Sequence, residues 1–210
     1  MPIGGLATPT LADEIVRLEP LAHAHEAGMA AAVAGPRETF GWTSVPTVES
    51  VPDYIDTQLR KSEEGDFAPF AQIDAASDRI VGHTSYLTPR WWPDGRLYAI
   101  EVGTTWLTPS AQGTAINSAA KLLLFRHAFE TWGVERIDLK TDARNERSRA
   151  GIVAVGGRFE GVLRAWQPSV AQGETGVLRD TAMFSILAAE WPEVERMLAE
   201  RIARKRGTSR

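Results

Sequence analysis

Read for the spacing of apolar and polar positions, the chain resolves into one strand, two helices, three strands, and then helices and strands in alternation. Ile15-Val-Arg-Leu18 alternates like a short strand, and Pro20 stops it. The alanine-rich stretch Ala22–Val33 predicts a helix ended by Gly35-Pro36. A second helix opens after Thr47, carries Tyr54, Ile55 and Leu59, and closes at the turn Glu63-Glu-Gly-Asp66. Strands are expected at Ala68–Ile73, Arg79–Leu87 and Arg96–Leu107. Asp74–Asp78 turns between the first two, and Trp91-Trp-Pro-Asp-Gly95 between the second and third. The strongest helical pattern is Thr114–Thr131, whose broad apolar side includes Leu122, Phe125 and Phe129, with Gly133 just past its end. Arg136–Thr141 then reads as a strand, Glu146–Val155 as a helix, Arg158–Leu163 and Thr181–Leu187 as strands, and Glu190–Arg204 as a helix.

Strand–helix–strand units in the second half predict an α/β (α+β) fold, a twisted mixed sheet of about seven strands flanked by helices. A chain of 210 residues buries an adequate core in one domain. Its expected organisation is a flexible Gly/Pro/Thr-rich lead-in at 1–12, a single domain at 13–205 and a basic tail at 206–210. No internal repeat interrupts this picture.

Composition narrows the chemistry. Cysteine is absent, which removes disulfides, thiolate metal sites and cysteine nucleophiles, and suits a reducing compartment. The net charge is -4 and the basic residues do not cluster before Arg201, so a nucleic-acid partner is not expected. Arg201, Arg204, Lys205, Arg206 and Arg210 read as a solvated helix end. No apolar stretch approaches the ~20 residues of a membrane span, and the start lacks a secretory leader, so a cytoplasmic location is expected. No residues have metal-ligand spacing, and no metal is expected.

Chemistry concentrates where the third strand of the central trio runs through Glu101-Val-Gly-Thr-Thr-Trp-Leu107 into Thr108-Pro-Ser-Ala-Gln-Gly-Thr-Ala115 and a helix begins. A helix start exposes unpaired amides and a positive dipole end, which suit a phosphate, and small residues at Gly113 and Ala115 permit close approach. On spacing alone an ordinary capped turn fits equally well.

The segment Trp106-Leu-Thr-Pro-Ser-Ala-Gln-Gly-Thr-Ala-Ile-Asn117 resembles the acyl-CoA pyrophosphate loop of the GNAT superfamily, commonly Gln/Arg-x-x-Gly-x-Gly/Ala. Aligned on Gln112, Ala115 takes the first glycine position and Asn117 the final small one, so both depart from the commonest pattern. Asn145-Glu-Arg-Ser148 resembles the family's Asn-x-x-Ser helix, and Gly157-Arg-Phe-Glu-Gly161 its glycine–phenylalanine continuation. Asn117-Ser-Ala-Ala-Lys-Leu-Leu-Leu124 and Leu178-Arg-Asp180 through Ser185-Ile-Leu187 are similar to segments of an uncharacterised subgroup in the branch of ribosomal-protein N-terminal acetyltransferases.

The resemblance implies transfer of an acetyl group from acetyl-CoA, a co-substrate, to a primary amine by direct attack in a ternary complex. A peptide N-terminal α-amine is the favoured acceptor. A small-molecule amine (antibiotic- or polyamine-like) and a non-catalytic acyl-CoA-binding module are the alternatives. The implied coenzyme contacts are Trp106, Leu107, Gln112, Gly113, Thr114, Ala115, Ile116, Asn117, Ser118, Asn145 and Ser148. Asn145 would bond the pantetheine arm, although asparagine before a helix is also an ordinary cap. Ser148, one turn later on the same face, is the implied proton donor to sulfur, and Glu101 the implied base. Glu101 could equally be a strand carboxylate paired with Arg96 or another cation. Trp42, Trp91 and Trp92 lie in segments expected to flank the acceptor, and packing is an equal reading of all three. His83 and His127 are expected as core or edge histidines, and His23 and His25 have a minor claim as substrate contacts. Arg179-Asp180 reads first as a structural ion pair on a strand and second as a pair that orients an acceptor. The resemblance also implies a homodimer formed through the last strands.

Overall fold

Alternating strands that bury both faces need a helical layer on each side, and that is how the chain folds. The structure, a computed structural model, describes residue 6, residues 8–171 and residues 173–207. Among the described residues eight strands form one mixed sheet in the order β1-β2-β3-β4-β5-β6-β8-β7. They are β1 (Leu11–Ala12), β2 (Val16–Pro20), β3 (Phe67–Asp74), β4 (Arg79–Trp91), β5 (Leu97–Leu107), β6 (Arg136–Asp142), β7 (Arg158–Pro168) and β8 (Leu178–Leu187). Five α-helices accompany them: α1 (Glu26–Val33), α2 (Val51–Glu63), α3 (Ile116–Arg126), α4 (Glu146–Val153) and α5 (Trp191–Gly207).

The strand count exceeds the expected seven because Leu11–Ala12, inside the expected lead-in, pairs with Leu18 and Arg17 of β2. Two residues carry no readable period. Positions 1–5 and 7 of that lead-in and 208–210 of the expected tail lie outside the described residues, and Arg206 and Gly207 belong to α5. The long helix begins at Ile116 rather than Thr114 and passes after Arg126 into a π-turn, His127–Thr131, in which Trp132 N–H donates to the His127 carbonyl at 3.1 Å.

Two apolar clusters define the faces. On one, Tyr86, Ile100, Val102, Ile137 and Phe184 of the sheet pack with Leu124 and Phe125 of α3, Ile152 of α4 and Leu198 of α5. On the other, Ala71 and Trp106 pack with Met29 of α1, Phe40, and Val51 and Ile55 of α2. Neighbouring strand residues alternate between these faces.

Strands β4 and β5 approach closely at Gly82, where an added Cβ would lie 2.3 Å from the Trp106 carbonyl oxygen and 2.7 Å from Leu107 Cδ2. Backbone cannot yield as a side chain does. Gly82→Ala is therefore expected to lower unfolding stability by about 1–3 kcal/mol through overpacking, read as a shift in urea midpoint.

Candidate active site

The site starts with a divergence in the sheet. Parallel strands β5 and β6 pair only at Ala99↔Arg136, Ile100↔Ile137 and Glu101↔Asp138. Beyond these pairs both strands continue in the same direction without bonding each other, opening a V between Val102–Leu107 and Leu139–Asp142. At the mouth of the V, β5 carries a bulge: His83 faces Trp106 and Ser85 faces Gly103, so β5 holds one residue more than β4 there. Thr104 occupies that bulge with φ 49°, a conformation that costs a non-glycine residue of order 1–3 kcal/mol. Its hydroxyl donates to Ser85 Oγ at 2.8 Å, and its carbonyl lies 3.2 Å from His83 Nδ1. His83 is fully buried as expected, and burial lowers its pKa to about 4, so the ring supports the bulge as a neutral group.

At its far end β5 turns through Thr108–Ala115 into α3. The amides of Ala111 and Gln112 both donate back to the Thr108 carbonyl. Gly113 then takes φ +79°, with open space where a Cβ would be. Lys205 Nζ of α5 donates to the Gly113 carbonyl at 2.6 Å and to the Thr114 carbonyl at 2.8 Å. Because a trans peptide points its N–H opposite its C=O, the amides of Thr114 and Ala115 face away from Lys205. Among the described residues no acceptor bonds the amides of Gly113, Thr114 or Ala115. These donors and the α3 N-terminus form a cradle for an anion. Asn117 adds a buried Oδ1 without a donor among the described residues. Arg201 Nε donates to Ser118 Oγ at 3.3 Å. Of the basic end of α5, expected to be solvated, Arg204 and Arg206 are exposed, whereas Arg201 and Lys205 brace this loop from behind.

Several expected contacts face elsewhere. The side chains of Trp106, Leu107 and Ile116 are buried in the two apolar clusters, leaving only their main chain for a ligand. The Gln112 side chain ties the loop together: its amide donates to Thr39 Oγ1 and the Leu107 carbonyl, and its oxygen accepts from Arg147 of α4. Asn145 caps α4, its Oδ1 accepting the Ser148 N–H at 3.0 Å. That leaves the Asn145 amide group as its donor end. Both residues sit at the head of the helix that follows β6, across the V from the α3 cradle.

Glu101 lies at the last β5–β6 pair, 5% exposed, on the α1/α2 face. Its partner is Lys140 of β6, with Nζ 2.8 Å from Oε2, whereas Arg96 pairs with Asp94. Burial pushes the Glu101 carboxyl up, and Lys140 pulls against that shift. Trp42 is brought to the same end of the sheet, its ring 4.8 Å from the Arg144 guanidinium. Trp91 and Trp92 are not brought beside it. Trp91 packs against the α3-side cluster, and Trp92 contacts Tyr98 at the β4–β5 hairpin. His25 bonds Glu19, His23 lies near Asp56, and His127 is buried. Arg179 and Asp180 form no pair, since adjacent strand residues point to opposite faces; Asp180 instead accepts the Ala165 N–H.

A divergent pair of parallel strands, each ending in a helix N-terminus, is an arrangement with known counterparts. The family model for the GNAT acetyltransferase domain matches residues 16–158, more than half of the chain. The chain belongs to the GNAT acetyltransferases. A GCN5-related N-acetyltransferase from Brucella melitensis is 27% identical, with TM-score 0.80 over 92% of this chain and 85% of that one. A protein from T. thermophilus assigned to the acetyltransferases is 31% identical, with TM-score 0.77 over 93% and 98%. Mycobacterium smegmatis RimJ, determined in complex with CoA-disulfide, shares the fold at 21% identity and TM-score 0.73 over 92% and 93%. No curated protein matches the chain. Among the described residues no helix is long and apolar enough to cross a membrane.

This GNAT chain also buries a lysine that sequence reasoning passed over. Lys121 of α3 donates to Thr84 Oγ1 at 3.1 Å and Thr105 Oγ1 at 2.8 Å, and burial lowers its pKa from 10.5 to about 7. The unfolded chain then binds more protons than the folded one between pH about 7 and 10.5, so this group makes stability rise with pH across that window. Lys121→Met is expected to flatten that rise in urea titrations from pH 6 to 10 and to stabilise the protein most at its acidic end.

Proposed function

We propose that the protein transfers an acetyl group from acetyl-CoA to a primary amine, with a peptide N-terminal α-amine as the favoured acceptor. The observation that carries this reading is the placement of the two candidate catalytic groups on opposite faces of the sheet. Glu101 lies on the α1/α2 face, and Ser148 on α4 lies on the other. The V between β5 and β6 joins the two faces. A thioester lodged in the V would meet an amine from one side and present its sulfur to the other.

The residues fit acetyl-CoA as follows. The cradle amides of Gly113–Ala115 and the α3 N-terminus take the pyrophosphate, and the Asn145 amide faces the pantetheine arm. Asn117 and Ser118 support this end. Acetyl-CoA supplies the activated acyl carbon. The neutral amine nitrogen attacks that carbon, the carbon–sulfur bond breaks, and its electron pair leaves on sulfur. Glu101 accepts the amine proton, directly or through one water, and Ser148 delivers a proton to the departing thiolate. A main-chain N–H at the Thr104 bulge is assigned to polarise the acyl carbonyl, a fixed donor that needs no reorganisation. Trp42 borders the acceptor. A second copy of the chain is a proposed partner, supported by the apolar exposure of the β7–β8 hairpin at Phe159, Trp166 and Leu178.

Calorimetric titration with acetyl-CoA and desulfo-coenzyme A tests this first. Micromolar binding, followed by thiol release in the presence of an alanine-initiated peptide, is the expected result. A folded protein that binds neither ligand refutes the reading.

A further inference from the structure

Strand β8 carries two buried polar groups that the proposed chemistry leaves without a task. Arg179 is 8% exposed and Thr181 fully buried, yet neither Arg179 Nε nor Thr181 Oγ1 has a hydrogen-bond partner among the described residues. Orphaned buried groups are uncommon, and a guanidinium has five donors to place. Thr181 pairs with Asp142 across the ladder, so both side chains project on the face that carries Lys140 and Glu101. Arg179, two residues earlier, shares that face.

The anions around Arg179 are already engaged. Asp142 is held by Arg144 through two oxygens, at 2.9 Å from Nε and 2.8 Å from Nη2. Glu101 is held by Lys140. Arg144 also grips Glu174 of the β7–β8 hairpin and stacks under Trp42. Both carboxylates are near enough for Arg179 to feel their charge, but each is bound to another cation. A buried guanidinium in such surroundings favours an oxygen ligand that brings its own lone pairs.

Resting on the acetyltransferase reading, we propose that Arg179, with Thr181, binds the carboxyl-derived oxygen of an α-amino-acyl acceptor, the oxygen on the carbon next to the one bearing the amine. A free α-amino acid presents that oxygen as a carboxylate, and a peptide N-terminus presents it as a carbonyl. A polyamine presents nothing there. The arrangement has a chemical advantage beyond selection. A cation beside the acceptor disfavours its ammonium form, so the nitrogen reaches Glu101 more readily as the neutral nucleophile.

The test uses the wild-type protein saturated with coenzyme A and needs no turnover. N-acetylalanine, N-acetylalanine methylamide and N-ethylacetamide, which lacks the carboxyl carbon, are titrated calorimetrically. Binding of either alanine derivative at least tenfold tighter than N-ethylacetamide supports the proposal, and the stronger of the two distinguishes amino acid from peptide. Arg179→Gln should remove the difference, a loss of about ten- to hundredfold for a charge-assisted bond, while leaving coenzyme affinity unchanged. In turnover it should raise KM for alanine acceptors more than it lowers kcat, and Arg179→Lys should recover part of the loss. Equal binding of the three ligands, or no binding of any, overturns the proposal while coenzyme binding persists. Failure to bind coenzyme A would instead overturn the acetyltransferase reading itself.

Discussion

Gly113→Trp is expected to abolish acetyl-CoA binding, weakening it by more than about a hundredfold, the loss anticipated when several anion-binding amides are covered at once. Two effects act at this position. The backbone sits at φ +79°, where a side chain costs of order 1–2 kcal/mol, and the space over the missing Cβ is open. An indole there meets no protein atom within contact range at its base, so the fold should persist, but it stands over the amides of Thr114 and Ala115. Gly113→Ala carries the same backbone penalty without the bulk and separates the two effects. It should keep affinity within about thirtyfold of wild type, the upper equivalent of that 1–2 kcal/mol. Calorimetry with both variants decides the point. Normal binding by a folded Gly113→Trp protein would place the coenzyme elsewhere.

Glu101→Gln is expected to lower kcat/KM by about 10²- to 10⁴-fold, the usual contribution of a positioned base, with acetyl-CoA affinity preserved. The pH profile gives the sharper signature. A base works in its ionised form, and burial raises the Glu101 pKa above the ordinary 4.5. Wild-type activity should therefore fall as pH drops through that raised value, and the glutamine variant should lose this acid limb. Lys140 holds the shift in check, so Lys140→Met should move the limb to higher pH. A glutamine variant that keeps both rate and acid limb would leave Glu101 a structural ion-pair member, as its contact with Lys140 would suggest by itself.

Periodicity conveyed most of the architecture, because buried faces impose it: α2, β3 and β6 lie within a few residues of their expected bounds. It missed β1, and it shortened β7 at Leu163 although the strand continues to Pro168. In β7 a positive φ at Gly161 and Ala165 and mostly exposed side chains erase the alternation that would reveal it. The candidate site divides in the same way. Its main-chain parts were legible as a strand–loop–helix pattern with Asn145 and Ser148 at helical spacing. The groups that complete it are brought together by tertiary contact over long separations. Lys205 reaches back to Gly113, and Lys140 crosses from β6 to Glu101. Polar residues at 138, 140 and 142 do alternate along β6, and that was the one local sign of a charged face there. Nothing local marks Arg179 as an orphan, because only the folded sheet shows that its neighbouring carboxylates are taken.

The strand order has a consequence for how the molecule is made. β8 lies between β6 and β7, joined to both along its length, although it follows them in sequence. During vectorial synthesis β6 must therefore wait with one edge open, and β7 has no place in the sheet until residues Leu178–Leu187 have left the ribosome. The nascent chain at that stage offers strand pairing to any neighbour, the kind of exposure that chaperones exist to cover.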